Sequence, residues 1–328
     1  FQAPAAMFWY IAGGLCCGLV AAIFFLSDHT PAFKLAGKRV IVTGGSSGIG
    51  LATAQLLVGE GCSVAIFGRD KVRLAEAEAL LKSARQGKAS VISVSVDVGD
   101  DVLVAKAVEE VVRQFGGVDV LVACAGYSRP GRFLEIPINE FEKMLRVNYL
   151  GSVYATRAVV PHMIKQGTGG RIVLTSSMGG LVGIYGFTAY SPSKFALRGF
   201  AECLHMEMKP HNILVSVVNP PDTETPGYHE ENKVKPEECR LISEGAGLFS
   251  PQQIARDLVS GLKQYRFFIN TGTDGAFSGA LCSGMSPPGP WYQTLAQLCT
   301  GGLLRLVSLA YLWSFNRIVS QCFRAKKD

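Results

Sequence analysis

Tyr190 and Lys194 stand four residues apart in the run T-A-Y-S-P-S-K at 188–194. On a helix that spacing puts both side chains on one face, with the ammonium beneath the phenol. A free phenol titrates near pH ~10, and a neighbouring cation favours the phenolate, so the pair predicts a lowered phenol pKa and a general acid or base. Ordinary surface helices also carry this spacing, so the pair takes its meaning from what the rest of the chain places around it.

A second constellation, T-G-G-S-S-G-I-G at 43–50, follows an apolar β-branched run and opens a helical stretch. Its glycines allow a tight turn and close backbone approach, while free amides at the helix start point at an anion. Gly44, Ser46, Ser47, Gly48, Ile49 and Gly50 are therefore expected to cradle a dinucleotide pyrophosphate. The next strand ends at Phe67-Gly68-Arg69, where an NAD site usually has an acid on the ribose hydroxyls. Arg69, with Arg73 one turn on, instead suits a 2′-phosphate, so NADP (as NADPH) is the expected cofactor; Asp70 keeps NAD open. Asp97 and Val98 are placed to border the adenine, and the small residues Ala125 and Gly126 leave room for a ribose. Residues 44–48 also fit the G-x-S-x-G elbow of a serine hydrolase, but they follow the first strand and no His or acid stands out as a partner.

The elements that must hold these residues follow from periodicity. Short β-branched runs at 39–43, 63–67, 91–96, 118–124, 171–176 and 214–219 alternate with amphipathic stretches such as 70–84 and 102–115. That alternation predicts a single-domain α/β fold: a doubly wound parallel sheet of Rossmann type, with right-handed crossovers and helices on both faces. A long helix over 189–209 carries Tyr190 and Lys194. Residues 226–249, which include E-E-N-K-V-K-P-E-E, read as a substrate loop, either a mobile lid or a solvated surface helix. The Gly-, Ser- and Pro-rich stretch 272–290 reads as a linker.

The chain has 328 residues, enough for one such domain with extensions, and its 48% hydrophobic content and mean hydropathy of +0.24 point to contact with lipid. Residues 5–26 carry no charge and match the ~20 apolar residues that cross a hydrocarbon core, so 1–30 read as an N-terminal transmembrane anchor. A cleaved signal has a shorter apolar core of about 7 to 15 residues. Lys34, Lys38 and Arg39 follow, which leaves the bulk of the chain on the cytosolic side. Residues 36–270 then form the NADP-binding catalytic domain, and 271–328 a linker and an apolar membrane-associated segment. Within it, 291–323 holds Arg305 and Arg317. Burying Arg305 near a bilayer centre costs about 2.5–3.5 kcal/mol, which favours an in-plane or re-entrant helix over a second span. A net charge of +6 with no basic run interleaved with aromatics gives no nucleic-acid footprint. Nine cysteines without C-x-x-C and five histidines without ligand spacing give no metal site and read as reduced thiols facing the cytosol.

Taken with A-C-A-G at 123–126, Asn148 in V-N-Y-L-G and Ser177 in L-T-S-S-M, these motifs resemble the short-chain dehydrogenase/reductase superfamily in order and spacing over about residues 37–269. A narrower resemblance, to the reductases of long-chain sphingoid ketones, rests on N-Y-L-G-S-V-Y (148–154), G-F-T-A-Y-S-P-S-K-F-A-L-R-G (186–199) and P-P-D-T-E-T-P-G (220–227). Most of the superfamily writes P-G where this chain has Pro220-Pro221. Ala123 departs from the usual N-N-A-G and removes any bracing contact from that side chain.

The resemblance implies that Tyr190 gives a proton to a ketone oxygen, that Lys194 lowers the phenol pKa and binds the nicotinamide ribose, and that Ser177 holds the carbonyl. It implies a water held by Asn148 between Lys194 and solvent. Pro220, Thr223 and Thr225 would meet the cofactor's carboxamide and pyrophosphate edge. Also implied are a long-chain sphingoid ketone whose tail sits in the lipid bilayer, an endoplasmic reticulum membrane with the site facing the cytosol, and a homodimer paired through the long helix. Two other readings stay open: a membrane-bound retinoid or steroid dehydrogenase of the same superfamily, and a non-catalytic NADP-binding membrane scaffold.

Overall fold

The computed structural model of the chain describes residues 18, 21–24, 30–85, 87, 89–245 and 247–325. Strands form at β1 (Arg39–Thr43), β2 (Ser63–Gly68), β3 (Val91–Ser95), β4 (Val120–Ala123), β5 (Gly170–Thr175), β6 (Ile213–Asn219) and β7 (Phe268–Asn270). The helices are α1 (Gly48–Gly59), α2 (Lys71–Ala84), α3 (Asp101–Phe115), α4 (Ile138–Met144), α5 (Gly151–Gln166), α6 (Tyr190–Met208), α7 (Pro226–Asn232), α8 (Glu237–Glu244), α9 (Pro251–Gln264), α10 (Gly272–Leu281) and α11 (Trp291–Ala325). All seven strands pair in parallel in the order β3-β2-β1-β4-β5-β6-β7. The direction of winding reverses between β1 and β4, and the crevice outside the strand C-termini at such a point is where open α/β sheets bind ligands.

The strands read as near-continuous apolar runs because helices cover both faces. Val40 and Val42 pack with Leu57 of α1, Leu81 of α2 and Leu258 and Leu262 of α9. Ile41, between them, packs on the other face with Val104 and Val108 of α3, Val159 of α5 and Ala201 of α6. Each fully buried Leu or Val contributes about 1.5–3 kcal/mol relative to exposure, so this alternation fixes the register of β1 and with it the turn that follows. At the opposite end of the sheet, Asp119 accepts from the Arg39 backbone N–H at 2.9 Å and from its guanidinium at 2.7 and 2.9 Å, tying β1 to β4.

The expected doubly wound parallel sheet is present, with β7 as a seventh strand that extends β6 through Val217–Phe268 and its neighbours. The expected linker 272–290 is a correction: its first half is helix α10. The small residues that suggest a flexible connection are a packing face, since a Cβ at Gly279 would collide with the Asn270 side chain. Residues 226–249 form the two short helices α7 and α8, the surface-helix alternative for that stretch. The apolar stretch expected over 291–323 is one continuous helix, α11, of 35 residues. It is long and apolar enough to cross a membrane, with a mean hydropathy of 1.4 and 6% of its most apolar window buried, and it leans on α8 and α10. The expected N-terminal anchor lies outside the described residues apart from Gly18 and 21–24.

Candidate active site

A cavity of about 780 Å³ opens at the C-terminal ends of β1, β4 and β5. Every site residue expected from sequence lines it except Asn148. Its floor at β1 is the turn from Thr43 into α1. Gly44 holds φ +67, and a Cβ there would lie 2.9 Å from the Ala125 backbone, so this position needs glycine twice over. Ser47 sits at the helix N-cap with extended backbone, and its side chain makes no capping bond among the described residues. The first-turn amides of Gly48, Ile49 and Gly50 are thereby left to an incoming anion.

The end of β2 sets the identity of that ligand. Asp70, the acid that kept NAD open, is turned into its own helix: it accepts from the Val72 and Arg73 amides at 3.0 and 3.1 Å and lies 3.4 Å from the Arg73 guanidinium. Its carboxylate is engaged as the α2 cap, while the exposed Arg69 borders the cavity with no ion pair among the described residues. Glycine-lined backbone for a pyrophosphate and a guanidinium for a 2′-phosphate fit NADP(H) better than NAD(H).

At the other end of the cavity, α6 carries Tyr190 and Lys194 on one face, with the Lys194 Nζ 5.7 Å from the phenol ring centroid. Lys194 is 4% exposed and donates to the Thr175 carbonyl oxygen at 2.8 Å. The Ser177 hydroxyl lines the same cavity as the Tyr190 phenol and accepts from the Gly179 amide at 3.1 Å, capping the short turn after β5. Burial pushes the Tyr190 phenol well above its ordinary value; the nearby Ser177 hydroxyl opposes the rise, and Glu231 and Asp222 add to it. Burial pulls Lys194 down to about 8. This corrects the expectation of a lowered phenol pKa: removal of the ring from water is the dominant influence on it.

Asn148 is fully buried in a π-turn, Leu145–Leu150, between α4 and α5. Its Oδ1 accepts from the Tyr127 amide at 3.0 Å, and its Nδ2 donates to the Tyr127 carbonyl and to Ser193 Oγ, both at 3.0 Å. Ser193 in turn donates to the Tyr190 carbonyl at 2.6 Å. Asn148 thus ties the turn after β4 to the first turn of α6 from behind the cavity wall. Thr223 and Thr225 line the wall with their hydroxyls in local turns, to the Pro221 carbonyl at 2.8 Å and from the Tyr228 amide at 3.1 Å.

Several neighbours were not legible beforehand. The Thr175 carbonyl that holds Lys194 is a backbone group with no side-chain signature. Ser193 lies inside the T-A-Y-S-P-S-K run but resembles a filler residue. Asp222, Tyr228 and Glu231 also line the cavity; Asp222 lies inside P-P-D-T-E-T-P-G and the other two inside 226–249, with no signal that singled them out.

The short chain dehydrogenase family model matches residues 38–236. The chain is 48% identical over 294 residues to a 3-dehydrosphinganine reductase of Danio rerio, covering 88% of this chain and 87% of that protein. It is 44% identical over 319 residues to a 3-ketodihydrosphingosine reductase of Mus musculus, covering 94% and 95%. Among solved structures it is similar to an NAD+-bound xylitol dehydrogenase, at 30% identity and TM-score 0.64 over 70% of this chain and 93% of the other. A Burkholderia phymatum short-chain dehydrogenase/reductase in complex with NAD shares the fold at TM-score 0.64, over 72% and 89%. With the Tyr190–Lys194–Ser177 cluster facing a glycine-lined dinucleotide turn, these matches establish that the chain belongs to the short-chain dehydrogenase/reductase superfamily, on the branch of the 3-ketodihydrosphingosine reductases.

Proposed function

We propose that this chain reduces 3-ketodihydrosphingosine to dihydrosphingosine, with NADPH as the reductant and Tyr190 as the proton donor. The observation that carries the reading is the meeting of Tyr190, Ser177 and Lys194 in the cavity that also holds the dinucleotide turn. Bound NADPH supplies the hydride that reduces the carbonyl carbon.

The remaining work falls to side chains. A phenol whose pKa is raised by burial is fully protonated at neutral pH, the state an acid must be in to give its proton to the ketone oxygen. Ser177 donates to the same oxygen as negative charge develops there. Lys194, charged below about pH 8, lies under the ring and stabilises the phenolate left behind. Asn148 and Ser193 position the first turn of α6, so that the phenol stands where the carbonyl arrives. Arg69 and Arg73 would hold the 2′-phosphate, and Pro220, Thr223 and Thr225 would meet the carboxamide and pyrophosphate edge.

The substrate is a long-chain amino ketone, and α11 supports a membrane setting for it. In this reading residues 1–30 anchor the chain in the endoplasmic reticulum membrane, 36–270 form the catalytic domain on the cytosolic side, and 271–328 form the apolar membrane-associated region. A homodimer through α6 belongs to the same reading. The test is turnover of purified protein with 3-ketodihydrosphingosine and each nicotinamide cofactor, with the product identified by mass. NADPH consumption that accompanies dihydrosphingosine formation supports the reading; consumption that ignores the ketone, or none, rejects it.

A further inference from the structure

Two carboxylates that the proposed chemistry leaves unused stand on the wall of the same cavity: Asp222, in the turn after β6, and Glu231, on α7. They share one cation. The Lys235 Nζ lies 3.2 Å from an Asp222 oxygen and 2.9 Å from a Glu231 oxygen, and its side chain is 2% exposed. The same ammonium packs over the Tyr228 ring at 5.2 Å and the Phe187 ring at 5.9 Å. Phe187 in turn lies against Tyr190, with ring centroids 5.4 Å apart. The cluster is therefore one aromatic ring from the phenol.

Its charges do not balance. One lysine faces two carboxylates; the Asp222 side chain is 28% exposed to water, whereas that of Glu231 is largely withdrawn from it, where a charge is stable only when paired. Burial of Glu231, whose side chain is 13% exposed, raises its pKa against the opposing pull of Lys235. Lys194, the other cation on this part of the wall, is engaged by the Thr175 carbonyl. Among the described residues the cluster pairs two carboxylates with one ammonium, and the cavity they line can admit a ligand that brings a second cation.

Resting on the reading of this chain as a reductase of an amino ketone, we propose that Glu231, held together with Asp222 by Lys235, receives the substrate's ammonium and makes the enzyme selective for amino ketones. In such a substrate the nitrogen is carried by the carbon next to the ketone. A carbonyl delivered to Tyr190 brings that nitrogen beside the phenol, in the cavity that the two carboxylates also line. The ammonium brings the count to two cations and two anions. Lys235 acts as a positioning residue, since its two ion pairs fix the Glu231 side chain before substrate arrives.

The test is steady-state kinetics of the full-length protein in detergent on two ketones: 3-ketodihydrosphingosine and the 1-hydroxy-3-ketone of the same length that lacks the amine. Loss of one charge-assisted hydrogen bond, about 1.5–3 kcal/mol, predicts a wild-type preference in kcat/KM of about 10- to 100-fold for the amino ketone. Glu231→Gln should shrink that preference to about threefold or less, chiefly through a higher KM for the amino ketone, while still binding NADPH by fluorescence titration. Equal use of both ketones by the wild type overturns the proposal whatever the variant does. A Glu231→Gln protein that binds NADPH and keeps the full preference also overturns it. If Glu231→Gln fails to bind NADPH, Glu231→Asp decides: a preference reduced through KM supports the contact, and an unchanged one rejects it. A wild type inactive on the amino ketone sinks the underlying reading, and this inference with it.

Discussion

The Lys194 ammonium donates to the Thr175 carbonyl oxygen at 2.8 Å, so the cation beneath the Tyr190 ring is held by the backbone at the end of β5. Burial lowers its pKa from the ordinary 10.5 to about 8, and the folded protein binds fewer protons than the unfolded chain between those values. Two outcomes follow. The kcat/KM for ketone reduction should hold steady through neutral pH and fall above about pH 8 as Lys194 loses its charge. Lys194→Met should lose turnover, yet melt no lower than wild type at pH 7, because the folded protein is stabilised as this buried charge is removed. Rate profiles against pH and thermal melts of the two proteins check both.

Tyr190→Phe removes one hydroxyl and almost no volume from the cavity. The ring keeps its contact with Phe187, so the variant should bind NADPH as the wild type does. General acid catalysis contributes roughly 10²–10⁴-fold, and turnover should fall by about that factor. Fluorescence titration and single-turnover reduction measure the two quantities separately. Near-normal turnover would remove the phenol from the mechanism.

The legibility of this protein in its sequence follows the range of the interactions. The sheet was legible because strands buried on both faces leave runs such as R-V-I-V-T, and because the β1 turn requires glycine at Gly44. Tyr190, Lys194 and Ser177 were legible because their chemistry restricts residue type. The direction of the Tyr190 pKa was not, since it depends on how much water the fold removes, a quantity summed over neighbours far apart in the chain. The Asp222–Lys235–Glu231 cluster was hidden for a similar reason: a charged run looks solvated until the fold turns one lysine inward. In 272–290, composition misled because small residues serve close packing as well as flexibility.

Arg69 should set cofactor choice. With Asp70 committed to the α2 cap, Arg69→Asp places a new carboxylate where the 2′-phosphate is expected and leaves the helix intact. Losing a charge-assisted contact and gaining a repulsion should lower the NADPH-over-NADH ratio of kcat/KM by about 100-fold. The ratio, measured with one ketone, isolates the effect from any general loss. An unchanged ratio would take the 2′-phosphate away from Arg69.

Asp119 tests the far end of the sheet. Burial alone would raise its carboxyl pKa, but the Arg39 guanidinium and backbone N–H hold it below the ordinary value. A carboxylate with a depressed folded pKa contributes stability that is present above its unfolded value, near pH ~3.9, and is lost as pH falls through the folded one. Asp119→Ala should therefore cost about 2–3 kcal/mol at pH 7 and much less near pH 3. Urea unfolding at the two pH values compares them. A difference that does not shrink in acid would mean that the loss comes from packing alone.

At about 1.5 Å per residue, α11 is about 50 Å long, more than the ~30 Å of a hydrocarbon core. Arg305 lies fourteen residues along it from Trp291, near the middle of any span, and its guanidinium donates to the Ser308 hydroxyl at 3.4 Å. A helix that crosses would have to bury that charge or let its stem snorkel toward a head group, whereas one lying in the interface keeps it wet. In sealed vesicles, an in-plane helix leaves Cys299 and Cys322 open to a membrane-impermeant maleimide from the side of the catalytic domain. A crossing helix shields Cys322 until the vesicle is opened. Removing 291–325 should abolish this contribution to vesicle binding in an assay with the N-terminal segment also deleted, while NADPH affinity stays within about twofold, since the helix touches none of the dinucleotide turn. Labelling of Cys322 only after the vesicle is opened would replace the in-plane arrangement with a second span.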